Sequence, residues 1–143
     1  MIAPIPAATL RQLEKTARAV AQASYSPYSK FKVGAAVLAG SGKIYAGSNV
    51  ENASYGLCNC AERTAIFTAA SAGERQLRAV VVYTPTALPT MPCGACRQVI
   101  SEFGPRATVI SVCDSAKRIK TTLPMLLPRA FGPEDLGHGS GRK

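Results

Sequence analysis

The segment LRAVVVYTPTALPTMPCGACRQVISEFGPRATVISVCD, residues 77–114, decides the class of fold. It begins with a near-continuous apolar run (77–84) and ends with another (107–114), and such runs are typical of strands covered on both faces. Between them a proline-containing loop leads into a short helix predicted for Cys93–Phe103, which ends at Gly104. Strand, helix and strand in succession predict a sheet with helices packed against it.

The segments on either side continue this alternation. Apolar residues at helical spacing predict an amphipathic helix near the N-terminus, and alternation of apolar and polar residues predicts a hairpin after it. The further predicted elements are helices over Thr9–Ala23 and Cys60–Ala72, strands over 31–39 and 43–51, and a short helix within 122–131 that is broken by Pro128. The sequence therefore predicts an α/β fold in which one sheet lies between helices.

Length and composition favour a single globular domain. The chain has 143 residues, of which 47% are hydrophobic, so it can bury a core without disulfides. We expect the domain to span residues 1–136 and a loose tail to span 137–143. The net charge is +9, but the basic residues are scattered, and the densest group, AKRIK, holds only three. An ordinary basic surface is therefore favoured over a nucleic-acid patch.

The cysteines and the apolar stretches bear on location. Five cysteines cannot all pair within one chain, and the N-terminal residues do not resemble a secretory leader. No uncharged apolar stretch approaches the ~18 residues that a membrane span requires. We therefore expect reduced thiols, a cytoplasmic location and no membrane association.

Four of the cysteines form two close pairs that could bind a metal. Cys93 and Cys96 are spaced i, i+3, which places both thiols on the first turn of a helix, where the N-terminal partial charge favours thiolate. Cys60 and Glu62 would point roughly 200° apart within a regular helix, so they can converge only at its end. A metal lying off the N-terminal ends of both helices would meet Cys60, Cys93 and Cys96, with Glu62 beside it.

Two kinds of zinc site fit these residues. A structural site would use Cys58 as a fourth ligand, but the Cys-x-Cys spacing of 58 and 60 is tighter than the usual one. Three cysteines would instead leave one position for water, which Glu62 could deprotonate. Spacing favours the second arrangement. Zinc with three thiolates carries a net charge of −1, which Arg63 could offset by donating hydrogen bonds to the sulfurs. A redox-active Cys93–Cys96 pair is less well supported, because a loop separates it from the preceding strand.

The sequences CAE (60–62) and PCGAC (92–96) resemble the motif of zinc-dependent nucleobase deaminases. Together with YSPYSKFKVGAAV, NVENASYG and LLPRAF, they make nearly the whole chain similar to the small, homotetrameric cytidine deaminases. The resemblance implies a three-layer α/β/α fold with a mixed five-stranded sheet. It also implies one Zn²⁺ per subunit on Cys60, Cys93 and Cys96, with Glu62 as general acid and base. The implied reaction converts cytidine and deoxycytidine to uridine and deoxyuridine with release of ammonia, in pyrimidine salvage.

The same resemblance suggests residues that bind the nucleoside. Asn49 and Glu51 would hold the ribose hydroxyls, and their i, i+2 spacing on an extended segment is consistent with this. The other implied positions are Phe31 against the pyrimidine, the Ala61 backbone near the base or water, Tyr55 near the subunit contacts, and Phe131 in a neighbouring subunit's active site. From the residues alone, core packing would explain both phenylalanines better.

Two rival functions stay open at this point. One is deamination of another cytosine nucleoside, such as blasticidin S, or of a polynucleotide, although a clamp on the 3′ hydroxyl would leave no room for a following phosphate. The other is a non-enzymatic, zinc-stabilised module that binds nucleic acid, which would use four thiolate ligands. We expect Cys113 to be a small buried side chain and His138, the single histidine, to have no role.

Overall fold

A computed structural model describes residues 3–138 and contains a mixed sheet of five strands. The strands are β1 (Gly34–Ala39), β2 (Ile44–Ser48), β3 (Leu77–Tyr83), β4 (Thr108–Val112) and β5 (Arg118–Thr122). Their order across the sheet is β2-β1-β3-β4-β5. The β3–β4 pair is parallel and the other three pairs are antiparallel. The five-stranded mixed sheet implied by the family resemblance is therefore confirmed.

The helices cover both faces of the sheet. They are α1 (Ala7–Ala21), α2 (Ala61–Ser71), α3 (Gly94–Phe103) and α4 (Leu123–Leu126), with short 3₁₀ turns at Tyr55–Leu57 and Pro133–Leu136. Helix α1 packs on one face, and α2 and α3 pack on the other, so the three-layer α/β/α arrangement is also confirmed. None of the helices within residues 3–138 combines the length and the apolar character that crossing a membrane would need.

The α1 face is held by an unusually close contact between helix and strand. Leu13, Ala17 and Ala21 follow one another at a spacing of four, and each is fully buried against the sheet. A Cβ atom built on Gly34 of β1 would lie 2.0 Å from the carbonyl oxygen of Ala17. Only glycine at position 34 therefore allows the α1 backbone to approach the strand this closely.

The α2 face also has a close contact between the helix backbone and a glycine of the sheet. Ala65, Ile66 and Ala69 are buried against the central strands, and a Cβ atom on Gly47 of β2 would lie 2.4 Å from the Ala65 backbone nitrogen. Small side chains on the helix and a glycine on the strand thus bring the α2 backbone against the sheet. This contact fixes the position of the first turn of α2, which carries Glu62.

Strand β1 is shorter than the sequence predicts. It begins at Gly34 rather than at Phe31, because the Asn49 side chain takes the backbone hydrogen bonds that a longer strand would make. Asn49 Nδ2 donates to the Phe31 carbonyl (2.7 Å), and the Val33 amide donates to Asn49 Oδ1 (2.9 Å). Residues 31–33 are therefore held beside the sheet rather than within it.

The hydrophobic pattern missed β5 altogether. This strand, RIKTT, lies at the edge of the sheet, and four of its five residues are exposed, so it carries no apolar signal. The terminal helix is also shorter than predicted and ends at Leu126, before Pro128. The other helices begin or end within two residues of the predicted bounds. Of the predicted tail 137–143, all but the first two residues lie outside the described part of the chain, and the domain boundary stays a prediction.

Candidate metal centre and active site

Two helices begin at cysteines that point towards the same place. Cys60 is the residue before α2, with φ −72° and ψ 155°, and Cys93 is the residue before α3, with φ −66° and ψ 168°. Both backbones are extended, and neither side chain caps its own helix, so both thiols are available to a ligand. Cys96 follows in the first turn of α3. The three sulfur atoms lie within 4.8 Å of one another, and Cys60 Sγ and Cys93 Sγ are 3.9 Å apart.

These three thiols fit a zinc ion. Thiolates are preferred zinc ligands, and three protein ligands leave a position open, as in catalytic zinc sites. The pKa of Cys60 falls to about 5, because Cys96 and Arg63 donate hydrogen bonds to its sulfur, although burial opposes the shift. Within residues 3–138 no other group of three or more His, Cys, Asp or Glu side chains could hold a metal.

Cys58 does not belong to this group. Its sulfur accepts a hydrogen bond from the Asn52 amide (3.3 Å) and contacts the Asn52 carbonyl (3.6 Å), which ties it to the preceding loop. The ligand set is therefore one of three cysteines, and the four-cysteine alternative lacks its fourth member. Cys113 is fully buried, as expected, but its sulfur lies close to the hydroxyl of Ser115 (3.2 Å) rather than among apolar groups alone.

Glu62 lies in the first turn of α2 and is only 5% exposed. Burial, which disfavours the carboxylate, raises the pKa of Glu62 to about 7, and the negative charge of Cys60 acts in the same direction. A carboxyl group with a pKa near neutrality can both accept and donate a proton. The structure therefore places beside the thiols a carboxyl group that can exchange a proton near neutral pH.

Arg63 turns back towards the metal site. Its Nη2 lies 3.3 Å from Cys60 Sγ, and this contact raises the pKa of the guanidinium further above its usual range. The Nε atom of Arg63 is buried without a hydrogen-bond partner among the described residues. An arginine in the first turn opposes the helix dipole, so its position here is best explained by the thiolate charge beside it.

A cleft of about 180 Å³ opens beside the thiols and Glu62. Six of its lining residues are among those predicted from the sequence: Phe31, Asn49, Cys60, Ala61, Glu62 and Cys93. Five others were missed: Val33, Val82, Thr84, Thr90 and Met91. Three of the missed residues lie at or beyond the carboxyl end of β3, which is where ligands bind in sheets of this kind. That end of the strand was the only signal in the sequence that could have indicated them.

Asn49 shapes the cleft as well as lining it. Its side-chain oxygen accepts hydrogen bonds from the Val33 amide and from the Ser24 hydroxyl (2.5 Å), and its nitrogen holds the Phe31 carbonyl. The ring of Phe31 therefore lies in the cleft because Asn49 fixes the backbone on which it stands.

Three predicted substrate residues do not line this cleft. Glu51 Oε1 accepts hydrogen bonds from the amides of Tyr28 (3.0 Å) and Ser29 (3.1 Å), and hydrogen bonding from Ser29 lowers the pKa of its carboxyl group. Tyr55 packs edge-on against Tyr28 but is 73% exposed. Phe131 is 59% exposed. These side chains lie at the surface of the single chain.

Comparison with known proteins identifies the family of this arrangement. Residues 8–112 match the model of the cytidine and deoxycytidylate deaminase zinc-binding region. The chain is 49% identical over 118 residues to a cytidine deaminase of Sporosarcina psychrophila, covering 82% of this chain and 87% of that protein. It is 46% identical over 127 residues to one of Halalkalibacterium halodurans, covering 88% and 96%. The crystal structure of cytidine deaminase from Burkholderia pseudomallei superposes with a TM-score of 0.82 at 48% identity, covering 85% of this chain and 98% of that one.

Proposed function

The chain belongs to the cytidine and deoxycytidylate deaminase family, and on this premise we propose that it hydrolyses cytidine and deoxycytidine to uridine and deoxyuridine. The observation that carries the proposal is the buried Glu62, which lines one cleft together with Cys60 and Cys93, two of the three clustered thiols. A non-enzymatic zinc module has no use for a buried carboxyl group at that place. The cleft is also small, with a volume of about 180 Å³, which suits a free nucleoside.

In the proposed mechanism the chain's residues orient the base and move protons. Zinc held by Cys60, Cys93 and Cys96 supplies the Lewis acidity that makes water nucleophilic near neutral pH. Glu62 accepts a proton from the attacking water and donates it to N3 of the ring as a bond forms between the water oxygen and C4. Glu62 then takes the remaining proton of the added hydroxyl group and passes it to the amino group. The C4–N bond breaks, and ammonia leaves. The products are uridine and ammonia, so atoms and charge balance.

The remaining predicted residues would position the nucleoside. Phe31 offers its ring to the pyrimidine, and the Ala61 backbone is available to the base or to water. Asn49 and Glu51 would bind the ribose hydroxyls. Because each of them already holds a backbone segment, with Asn49 on residues 31–33 and Glu51 on residues 28–29, the clamp is rigid before substrate arrives.

We also propose that the protein is a homotetramer whose active sites are shared between subunits. Support comes from the exposure of large aromatic side chains, since Tyr55 is 73% and Phe131 is 59% exposed in the single chain. Phe131 would enter the site of a neighbouring subunit, and Tyr55 would lie at the contact. A cytoplasmic location and a role in pyrimidine salvage complete the proposal, because a reducing compartment keeps the three thiols able to bind metal.

The decisive test is the variant Glu62→Gln, which preserves shape but cannot shuttle protons. We expect it to retain one zinc per chain and the wild-type circular dichroism spectrum, and to lose cytidine turnover by several orders of magnitude. Turnover is followed by the change in ultraviolet absorbance as cytidine becomes uridine. Full activity of Glu62→Gln, or four sulfur ligands in the X-ray absorption spectrum of the wild type, would instead support a structural zinc module.

Substrate class is tested with the wild-type protein. We expect turnover of cytidine and deoxycytidine and none of cytosine in single-stranded DNA or RNA. Faster turnover of blasticidin S than of cytidine would assign the other nucleoside activity.

Sharing of the active site is tested by mixing two inactive variants. Phe131→Ala lacks the residue that would be supplied to a neighbour, and Glu62→Gln lacks the proton shuttle. If Phe131 acts across the subunit contact, mixed oligomers contain some sites with both residues intact, and activity returns after the variants are dissociated and reassembled together. If Phe131 acts within its own chain, mixing restores nothing. Light scattering of the wild type gives the subunit number.

A further inference from the structure

A second pocket lies at the segment that precedes and follows Phe31. Its volume is about 290 Å³, and it is lined by Ser24, Tyr25, Ser26, Pro27, Lys30 and Lys32. The lining thus offers two ammonium groups, two serine hydroxyls and a phenol, and it contains no carboxylate. Such a donor-rich surface suits an oxyanion.

The buried serine of this pocket has a weakly held hydroxyl group. Ser26 is only 7% exposed. Its hydroxyl oxygen lies 3.2 Å from the Ser24 hydroxyl, a long contact in which either oxygen can act as the acceptor because hydroxyl protons rotate. The Ser24 proton has a closer acceptor in Asn49 Oδ1, at 2.5 Å. The long contact holds the Ser26 proton weakly, and the charged oxygen of an anion in the pocket would be a stronger acceptor.

The two lysines line this pocket because they alternate along the chain with Phe31, which lines the other cavity. Phe31 lines the substrate cleft, whereas Lys30 and Lys32 on either side of it line the second pocket. Lys30 also has φ 59°, which turns the chain at this point. The charge of Lys30 acts on the carboxylate of Glu51, which is held by the amides of residues 28 and 29 and does not line the pocket.

We propose that this pocket, defined by residues 24–27 with Lys30 and Lys32, is a binding site for a phosphate group. Two lysines with a serine hydroxyl match the charge and the acceptor oxygens of phosphate. The exposed ring of Tyr25 adds a surface on which the base of a nucleotide could stack. The ligand is therefore inorganic phosphate or the phosphate group of a nucleotide.

Hydrogen bonds connect the segment that lines this pocket to the segment that carries Asn49 and Glu51. The Tyr25 amide donates to the Asn49 carbonyl (3.1 Å), and the Glu51 amide donates to the Tyr25 carbonyl (2.8 Å), so residues 24–26 run alongside residues 49–51. Together with the Ser24–Asn49 hydrogen bond, these contacts mean that a bound phosphate would stiffen the segment that carries Asn49 and Glu51. We expect it to change KM for the nucleoside more than kcat.

The proposal is tested by calorimetric titration of the zinc-loaded protein with inorganic phosphate, at ionic strength held constant with chloride. We expect saturable binding in the wild type. The dissociation constant should rise about tenfold or more in Lys32→Gln and in Ser26→Ala, because each loses a hydrogen bond to a charged ligand. Lys32 is chosen because it is exposed and its backbone is not left-handed. The matched control Lys43→Gln removes an exposed lysine from the β1–β2 turn and should bind phosphate as the wild type does.

A parallel titration separates the two sources of the phosphate group. Adenosine monophosphate, with adenosine as its control, has a purine to stack on Tyr25. Equal affinity for phosphate and the nucleotide indicates that phosphate alone is recognised; tighter nucleotide binding that Tyr25→Ala abolishes indicates a nucleotide site. Either result supports the proposal. It is overturned if neither ligand saturates, or if Lys32→Gln and Ser26→Ala bind phosphate as tightly as Lys43→Gln, as they would if phosphate bound only at the zinc. Since no turnover is measured, the result does not depend on the proposed function.

Discussion

The two faces of the sheet are built alike but behave differently. On each face a helix backbone approaches a strand through a glycine, Gly34 under α1 and Gly47 under α2. Helix α1 begins after Pro6, which has no polar side chain to offer, whereas α2 and α3 begin after Cys60 and Cys93. The start of α1 therefore offers no side chain that could bind a metal. The residue that precedes each helix, rather than the packing of the helix, decides which face carries chemistry.

The largest effect is expected when a ligand is removed from the α2–α3 face. Cys96→Ser should lose the zinc and with it nearly all turnover, since the ion depends on three thiolates. Cys58→Ser and Cys113→Ser are the matched controls and should keep one zinc per chain, as measured by elemental analysis of the dialysed proteins. A loss of zinc in Cys58→Ser would contradict the three-cysteine ligand set, because the loop before α2 would then contribute a ligand.

Glu62 should destabilise the folded, zinc-free protein at neutral and higher pH. Burial raises the pKa of Glu62 from 4.5 to about 7, so the folded chain holds this proton more tightly than the unfolded chain does. Stability is therefore lost as pH rises from about 4.5 to about 7, and Glu62→Gln escapes the loss. We expect the zinc-free variant to be more stable than the wild type by about 3 kcal/mol at pH 8, with a much smaller difference at pH 5.

Urea unfolding at the two pH values measures this difference. Glu14→Gln is the control on the α1 face, where the carboxylate forms ion pairs with Arg18 (3.0 Å) and Arg118 (2.9 Å), and it should give no gain at pH 8. A Glu62→Gln variant no more stable than the wild type at pH 8 would contradict the assignment of a buried, destabilising carboxyl group.

The two glycines allow the faces to be disturbed one at a time. Gly34→Ala and Gly47→Ala should each destabilise the fold by about 1–3 kcal/mol or more, because the new methyl group meets helix backbone. Only Gly47→Ala displaces the first turns of α2, so only this variant should also bind zinc more weakly. Thermal unfolding and competition with a chromogenic chelator measure the two quantities. Equal zinc affinity in both variants would show that the α2 position does not control the metal site.

The smallest effects distinguish two arginines. Arg63→Gln removes the guanidinium beside Cys60 and should lower zinc affinity or kcat/KM by about 10- to 100-fold. Arg18→Gln removes an arginine that stacks on Tyr83, 4.9 Å from the ring centre, and should cost roughly 1 kcal/mol or less without changing the kinetics. Comparable kinetic losses in both variants would mean that the α1 face also acts on the reaction.

Local patterns were sufficient to predict the fold class and the three thiols that the structure brings together. Apolar runs mark β3 and β4 because both faces of these strands are covered, and the spacing of Cys93 and Cys96 is fixed by one helical turn. The position of Cys60 relative to Glu62 was also predictable, because two residues so close in sequence can face one site only at a helix end. These signals depend on neighbours along the chain.

The features that were missed depend on contacts between distant segments. Strand β5 has no apolar pattern because it is an exposed edge, and Thr84 and Met91 line the cleft only because the start of α2 and residues 31–33 line it with them. The start of β1 at Gly34 rather than Phe31 follows from Asn49. This residue is more than fifteen positions away, and it occupies the backbone groups of residues 31 and 33. Nothing in the local sequence around Phe31 carries that information.

The 3.9 Å separation of the Cys60 and Cys93 sulfurs has a consequence for handling the enzyme. A disulfide needs its sulfurs only about 2 Å closer than this, so an oxidant that removes two electrons from the metal-free pair would crosslink the starts of α2 and α3. Chelated protein kept in air could then not bind added zinc until a reductant such as dithiothreitol reduced the disulfide. Storage with the metal bound protects the enzyme, because coordinated thiolates are not free to oxidise.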